Sequence, residues 1–388
     1  MLVVRIGLLQ SSAVYLGKSV AIAARYSNIR TQFKDESGKE ITIIDYQLQR
    51  QKILTQLAKA YAMQITYQKL RKFVENVFKQ AEKHNFSNLK EAHILLAGGK
   101  AMYTDWTQFG ILKMVQACGG HGYSAYSGIT TQFGLQSPNS ILEGDNNVLF
   151  LQVAKFMLKI QSYLEERRYQ KIKGYFYYFR QEDVFEKFST VSDNQEFLDC
   201  EKLLVLYQKC CFLLMKKISK SFKNLGHKFS KNYIINFIEG ANLILAGKLH
   251  TLVFTLHIFN DKVENTQDPS LKQALYNLCQ LISLQQLLKF SNIFVMLEII
   301  NGKFIRIARE RCQRLFDLLA KDLLVLAELF VPHEHVLYSL IADTNEKPYE
   351  NMYRMARDHG LMNQVDLRQE YLGIIRRTAD EVWREPRL

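Results

Sequence analysis

Apolar residues recur at helical spacing along most of the chain, in long and rarely broken segments. Between residues 2 and 29, Val4, Leu8, Leu9, Val14, Leu16, Val20, Ile22 and Ala23 repeat near every 3.6 residues. Gly7, Ser11, Ser12, Ala13 and Gly17 mark faces small enough for close packing. The pattern then turns polar, and Lys34-Asp-Glu-Ser-Gly-Lys-Glu-Ile41 reads as a loop turning at Ser37-Gly38. A second helix is predicted from Asp45, its N-cap, to about His84, and Asn85-Phe-Ser87 breaks it. A third follows from Ser87 through Leu95, Met102, Trp106 and Ile111 to Cys118; a fourth runs from Asn146 through Val153, Phe156 and Ile160 to near Glu166. Beyond Arg167 the texture changes to aromatic and basic, in Lys171-Ile-Lys-Gly-Tyr-Phe-Tyr-Tyr-Phe179, and helical segments are predicted at 195–222, 232–259, 270–299, 304–329 and 365–381. The expected fold is all-α: an up-and-down four-helix bundle over 1–166, followed by a second all-helical domain over 167–388.

Composition supports long helices, since the 388 residues include 5 Pro and 19 Gly. The 6 cysteines show no C-x-x-C spacing and no secretory signal precedes them, so reduced, buried thiols are expected in an intracellular compartment. No uninterrupted apolar run of about eighteen residues occurs, so no transmembrane segment is expected. The net charge of +13 suits an anionic partner, although a solvated basic surface is the plainer account and no nucleic-acid partner is expected. The acid-free run Lys216–Lys231 poses the same choice, between anionic lipid or nucleic acid and a solvated helix face. His333 and His335 flank Pro332 at a turn without metal-ligand spacing, so no metal is expected. Met1-Leu-Val-Val-Arg5 begins as though already inside a helix, which reads as a fragment, a split gene or a truncated gene model.

Two stretches carry candidate chemistry: Gln116-Ala-Cys-Gly-Gly-His-Gly-Tyr123 and Ile141-Leu-Glu-Gly-Asp-Asn-Asn-Val148. Between them, Gly119 to Leu142 contains no Lys, Arg, Asp or Glu, as expected of the lining of a site. Gln116, Gly119 and Gly120, with Gly122, could aim bare backbone N–H groups at a phosphate, or could simply end a helix. Glu143 beside Gly144 could be a desolvated base acting on a weakly acidic C–H, or an acid in the first turn of the fourth helix. Arg5, Arg25 and Arg30 lie along the first helix; Arg30, at its end, suits either a phosphate or the helix dipole.

Taken together these stretches resemble the acyl-CoA oxidase family. The matching segments are Ala24-Arg-Tyr-Ser-Asn-Ile-Arg-Thr-Gln-Phe33, Ile43-Ile-Asp-Tyr-Gln47, Ala117-Cys-Gly-Gly-His-Gly-Tyr-Ser124 and Leu142-Glu-Gly-Asp-Asn-Asn-Val148, with Val331-Pro-His-Glu-His-Val-Leu337 and Tyr349-Glu-Asn-Met352 downstream. The resemblance implies that Glu143 removes the α-proton of a fatty acyl-CoA while FAD takes the β-hydrogen and oxygen leaves as hydrogen peroxide. It implies FAD contacts from Arg30, Thr31, Gln32, Gln47, Gln116, Gly119 and Gly120, several across a homodimer interface. It also places Asp145, Asn146 and Asn147 beside the cofactor and Arg5 and Gly144 on the substrate side.

The Glu-Gly-Asp-Asn run, Tyr46-Gln47 and the insertion at 34–42 set the chain apart from the related mitochondrial-type acyl-CoA dehydrogenases. The family's N-terminal helical and β domains have no counterpart here, so an alternative is a non-catalytic or split-subunit interaction protein. Pro386-Arg-Leu388 resembles a peroxisomal address read by an import receptor, which implies a peroxisomal location.

Overall fold

Residues 2–29 form one helix as predicted, α1 (Leu2–Ile29). The structure, a computed structural model, describes residues 1–345, 347–359 and 369–377. The stretch after α1 is more ordered than a loop. β1 (Thr31–Lys34) and β2 (Glu40–Thr42) pair antiparallel, Thr31 opposite Thr42, and Asp35 closes the tip by accepting from the backbone N–H groups of Ser37 and Lys39. Both strands are largely exposed and short, so alternation of apolar and polar residues had no buried face to reveal them. Asp45 does not cap the second helix. It ends a 3₁₀ turn, accepts from the Thr42 hydroxyl, and leaves Tyr46 as the N-cap of α2 (Gln47–Ala81).

Next come α3 (Leu89–Ala117), α4 (Gly119–Tyr123), α5 (Ile129–Gln136) and α6 (Asn146–Glu165). The stretch between the two candidate motifs is therefore mostly short helix, with 3₁₀ turns at Ala125–Ser127 and Ser137–Ser140. Gln49 of α2 donates to Ser27 Oγ and to the Ala117 carbonyl, so the end of α1, the start of α2 and the end of α3 meet. At α6, Asn146 touches Asp105 and Gln152 touches His93, so α6 runs antiparallel to α3. The four long helices thus alternate up and down.

The rest of the described chain is helical too: α7 (Glu182–Lys187), α8 (Cys200–Leu225), α9 (Lys231–Tyr233) with a π-turn at Ile234–Ile238, α10 (Gly240–Glu264), α11 (Pro269–Lys289), α12 (Ser291–Met296), α13 (Gly302–Ala320), α14 (Leu323–Glu328) and α15 (Pro348–His359). Helix α15 was not predicted. Of the segment predicted at 365–381, residues 369–377 are described, and they are helical. Pro386, Arg387 and Leu388 lie outside the described residues.

The apolar core runs through residue 167 without a break, from Leu9 to Ala342. Helix α10 is the reason, because it packs on α6, α2 and α3 as well as on α8. Gly247 permits the approach: a Cβ there would stand 2.6 Å from the Phe150 carbonyl oxygen. Helices α1 and α10 are long and apolar enough to cross a membrane, a test the search for uninterrupted runs missed, but both are mostly buried in this core. The aromatic stretch Gly174–Arg180 is a 3₁₀ segment that plugs the junction with Phe176, Tyr178 and Phe179.

His250 of α10 sits under that plug. Its ring stacks on Phe176 at 4.1 Å, Nδ1 faces the Tyr178 hydroxyl at 3.0 Å, and Nε2 has no partner. Burial pushes its pKa down to about 3, so the folded protein keeps this imidazole neutral. The unfolded chain takes up the proton near its ordinary value of about 6.5, so stability is full above that pH and is lost as pH falls toward 3. Unfolding with denaturant at about pH 7.5 and about pH 5 should show a loss about 2 kcal/mol greater for the native chain than for His250→Met. An equal loss in both would mean that His250 does not set the acid response.

Candidate functional site

The candidate residues gather at two places, one at each end of α1. At its start, Arg5 is almost fully buried and donates from Nη2 to the Glu143 carbonyl at 3.0 Å. Its Nη1 faces His93 Nδ1 at 3.4 Å, while Nε has no partner among the described residues. Desolvation lowers the Arg5 pKa, and the charge of Glu143 opposes that shift. His93 is shifted down by burial and then by Arg5.

Glu143 lies just before α6, outside its first turn. It has φ +59° and Gly144 has φ +117°. A non-glycine residue in the left-handed region costs about 1 kcal/mol or more, so tertiary contacts must hold this pair. Arg5 holds one side through the Glu143 carbonyl. Lys100 of α3 holds the other: it is fully buried, and Nζ donates to the Ser140 carbonyl at 3.0 Å, the Gly144 carbonyl at 2.7 Å and Asn146 Oδ1 at 2.9 Å. Desolvation is the main cause that brings the Lys100 pKa down to about 8. Asn146, itself buried, donates onward to Asp105 Oδ1 at 2.6 Å. Asp145 caps α6 by accepting from the backbone N–H groups of Asn147 and Val148, and Asn147 is exposed. The half-buried Glu143 carboxylate has no hydrogen bond or ion pair among the described residues. Its backbone is clamped and its proton-accepting oxygens are left uncommitted.

At the other end of α1, a pocket of about 780 Å³ is lined by Arg30, Gln32, Gln116, Gly119 and Gly120, with Tyr26, Tyr46, Lys52 and His121. Gly119 takes φ +58° at the turn from α3 into α4, and a Cβ on either glycine would meet nothing within 4 Å. The backbone here is bare toward the opening. Arg30 donates to the Tyr349 hydroxyl at 2.8 Å and to Gln32 Oε1 at 3.0 Å, and the His121 ring lies between Tyr26 and Tyr349. Beneath the pocket, burial pushes the Cys118 thiol up to about 12, so it is no nucleophile at neutral pH. Thr31 and Gln47 do not line this space: Thr31 donates to Glu40 and Gln47 to Gln313 of α13.

Sequence reasoning missed two residues here. Lys100 is the only Lys, Arg, Asp or Glu between Ala92 and Thr104, an isolation that marks a buried cation. Tyr349 belongs to the Tyr349-Glu-Asn-Met352 motif, which by itself points to no contact with Arg30. Its contact with Arg30 spans 319 positions, which no local pattern encodes.

Replacing Lys100 with Met removes three hydrogen bonds and leaves buried acceptors unsatisfied. A loss of about 2–4 kcal/mol is expected in denaturant unfolding, with faster amide exchange confined first to residues 137–148. Unchanged exchange in that loop would show that Lys100 does not hold it.

A family model described as "Acyl-CoA oxidase, C-alpha1 domain" matches residues 1–158, and a second, "Acyl-CoA oxidase", matches 199–378. Peroxisomal acyl-coenzyme A oxidase 1 of Rattus norvegicus is 29% identical over 387 residues, covering 96% of this chain and 56% of the relative. The chain thus spans little more than half the length of that relative. A crystal structure of an acyl-CoA oxidase from tomato superposes with a TM-score of 0.89 at 27% identity, over 98% of this chain and 57% of that one. The fold is also shared with acyl-CoA oxidase-2 of Caenorhabditis elegans, solved with FAD, ascaroside-CoA and ATP, at a TM-score of 0.89 and 23% identity over 98% of this chain and 56% of that one. The two halves of the chain, each matched by its own family model and both folded as in these oxidases, belong to the acyl-CoA oxidase family.

Proposed function

We propose that this chain works in an acyl-CoA oxidase that converts a fatty acyl-CoA and O2 into the trans-2-enoyl-CoA and hydrogen peroxide, as a step of peroxisomal β-oxidation. The observation that carries this reading is Glu143: an uncommitted carboxylate on a positively twisted Glu-Gly pair, clamped by Arg5 and Lys100. A base for a weakly acidic C–H needs a fixed position and free oxygens, and this loop supplies both. In this reading Glu143 takes the α-proton, and Arg5 and Gly144 shape the substrate side.

The donors of the α1-end pocket fit a dinucleotide. Arg30 and Lys52 supply positive charge, Gln32 and Gln116 supply amides, Gly119 and Gly120 expose backbone, and Tyr26 and Tyr46 offer apolar faces. These residues would hold FAD, which when bound supplies hydride acceptance from the β-carbon and electron transfer to oxygen. Thr31 and Gln47, on adjoining elements, and Asp145, Asn146 and Asn147, beside the base, complete the proposed cofactor contacts.

One protomer cannot use both ends of α1 on one cofactor. At about 1.5 Å per residue, the 25 steps from Arg5 to Arg30 span roughly 37 Å, longer than an extended dinucleotide. The pocket of one copy therefore serves the base loop of another, and this supports a homodimer. The peroxisomal location rests on the names of the relatives.

The test is peroxide release from fatty acyl-CoA by the polypeptide as expressed from its gene. Glu143→Gln keeps the shape and removes the base, so turnover should fall by about 10²- to 10⁴-fold with flavin content unchanged. Turnover at the native rate would overturn the assignment of the base. Activity that needs an electron-transferring flavoprotein and ignores oxygen would make the enzyme a dehydrogenase.

A further inference from the structure

The lysine-rich stretch after α8 plays no part in the proposed chemistry, yet it forms a definite surface. Phe229, Tyr233 and Phe237 make a ladder on one face: the first two rings stack at 4.9 Å and 12°, and the next pair lies 5.0 Å apart. All three are exposed, Phe237 by 75%, and Ile238 beside them is exposed too. Beside the ladder stand Lys228 and Lys231, both exposed and with no ion pair among the described residues, whereas Lys217 and Lys220, further back on α8, line a groove with Glu165, Glu182 and Glu298. Lys216 and Lys223 are already paired, with Glu182 and Glu186 and with Glu165. The nearest following acid, Glu239, is buried and accepts from Asn242. The corner thus combines exposed rings with cations that its own acids do not neutralise.

We infer that this corner is a docking surface for an anionic lipid membrane, lying on the surface without crossing it. Aromatic and branched side chains seat at the headgroup boundary, while lysines reach the charged headgroups on long apolar stems. A second copy of the same corner would bring like charges together, which disfavours self-association through it. A nucleic-acid platform needs free ring faces, and here the faces of Tyr233 are taken up by its neighbours.

Co-sedimentation of the 388-residue chain with phosphatidylcholine vesicles, with and without phosphatidylserine, tests this. Binding is expected only with phosphatidylserine and should weaken as salt rises. Replacing Lys228 and Lys231 with Gln should weaken it by roughly tenfold or more. Tyr233→Ser with Phe237→Ser should do the same at an unchanged unfolding midpoint, since both side chains are exposed. No binding to either vesicle, equal binding to both, or native affinity in both variants would overturn the inference. Single-stranded DNA binding or self-association that these substitutions abolish, without vesicle binding, would overturn it in favour of another occupant.

Discussion

The buried ammonium of Lys100 is the constraint on which the candidate site depends. An uncompensated charge in an apolar core is expensive, so a lysine survives there only where acceptors surround it. Here they are two backbone carbonyls from the loop that carries Glu143 and the amide oxygen of Asn146, the first residue of α6. The interaction works in both directions. The loop makes the lysine tolerable, and the lysine makes the loop's left-handed backbone tolerable. Asn146 then passes the connection to Asp105, so α3 fixes where α6 begins. Glu143 is thus held still without any described group touching its carboxylate, as the proposed role of base requires.

The second constraint is the length of α1. A helix of 28 residues is a ruler, and it puts the Glu143 loop and the cationic pocket at opposite ends. In the proposed reading neither end suffices alone: one would be a base without a cofactor cradle, the other a cradle without a base. Tyr349 strengthens the cradle by drawing α15, near the end of the described chain, onto Arg30. The continuous core that α10 builds into the bundle makes that return possible, because it fixes the C-terminal helices against α2 and α3.

The long helices were legible because each buries one apolar stripe deeply enough to impose its period. The short elements were not. The β1–β2 hairpin buries almost nothing, and α15 is polar enough to read as loop. In the candidate site, Glu143, Gly144, Arg30 and the Gly119-Gly120 turn were readable as motifs, and the structure places them in two clusters. Asp145 carries a role that the motif alone does not show, since its carboxylate caps α6. Lys100 was hidden because periodicity treats a lysine as solvent-facing, and only its isolation in an apolar run argued otherwise.

The chain's excess of positive charge also takes on structure. Composition alone allowed the +13 to be a diffuse solvated surface. Part of it is instead placed at definite sites: Arg5 and Lys100 inside, against carbonyls of the Glu143 loop; Arg30 and Lys52 at a bare-backbone pocket; lysines without ion pairs among the described residues beside an aromatic corner. The three placements differ in dielectric, and so in what they can select. Buried cations fix one loop conformation, because any other would strand a charge. Half-open cations, in the proposed reading, select a phosphate by geometry. Exposed cations carry little geometric information, so the aromatic ladder beside them must supply the rest of the selectivity.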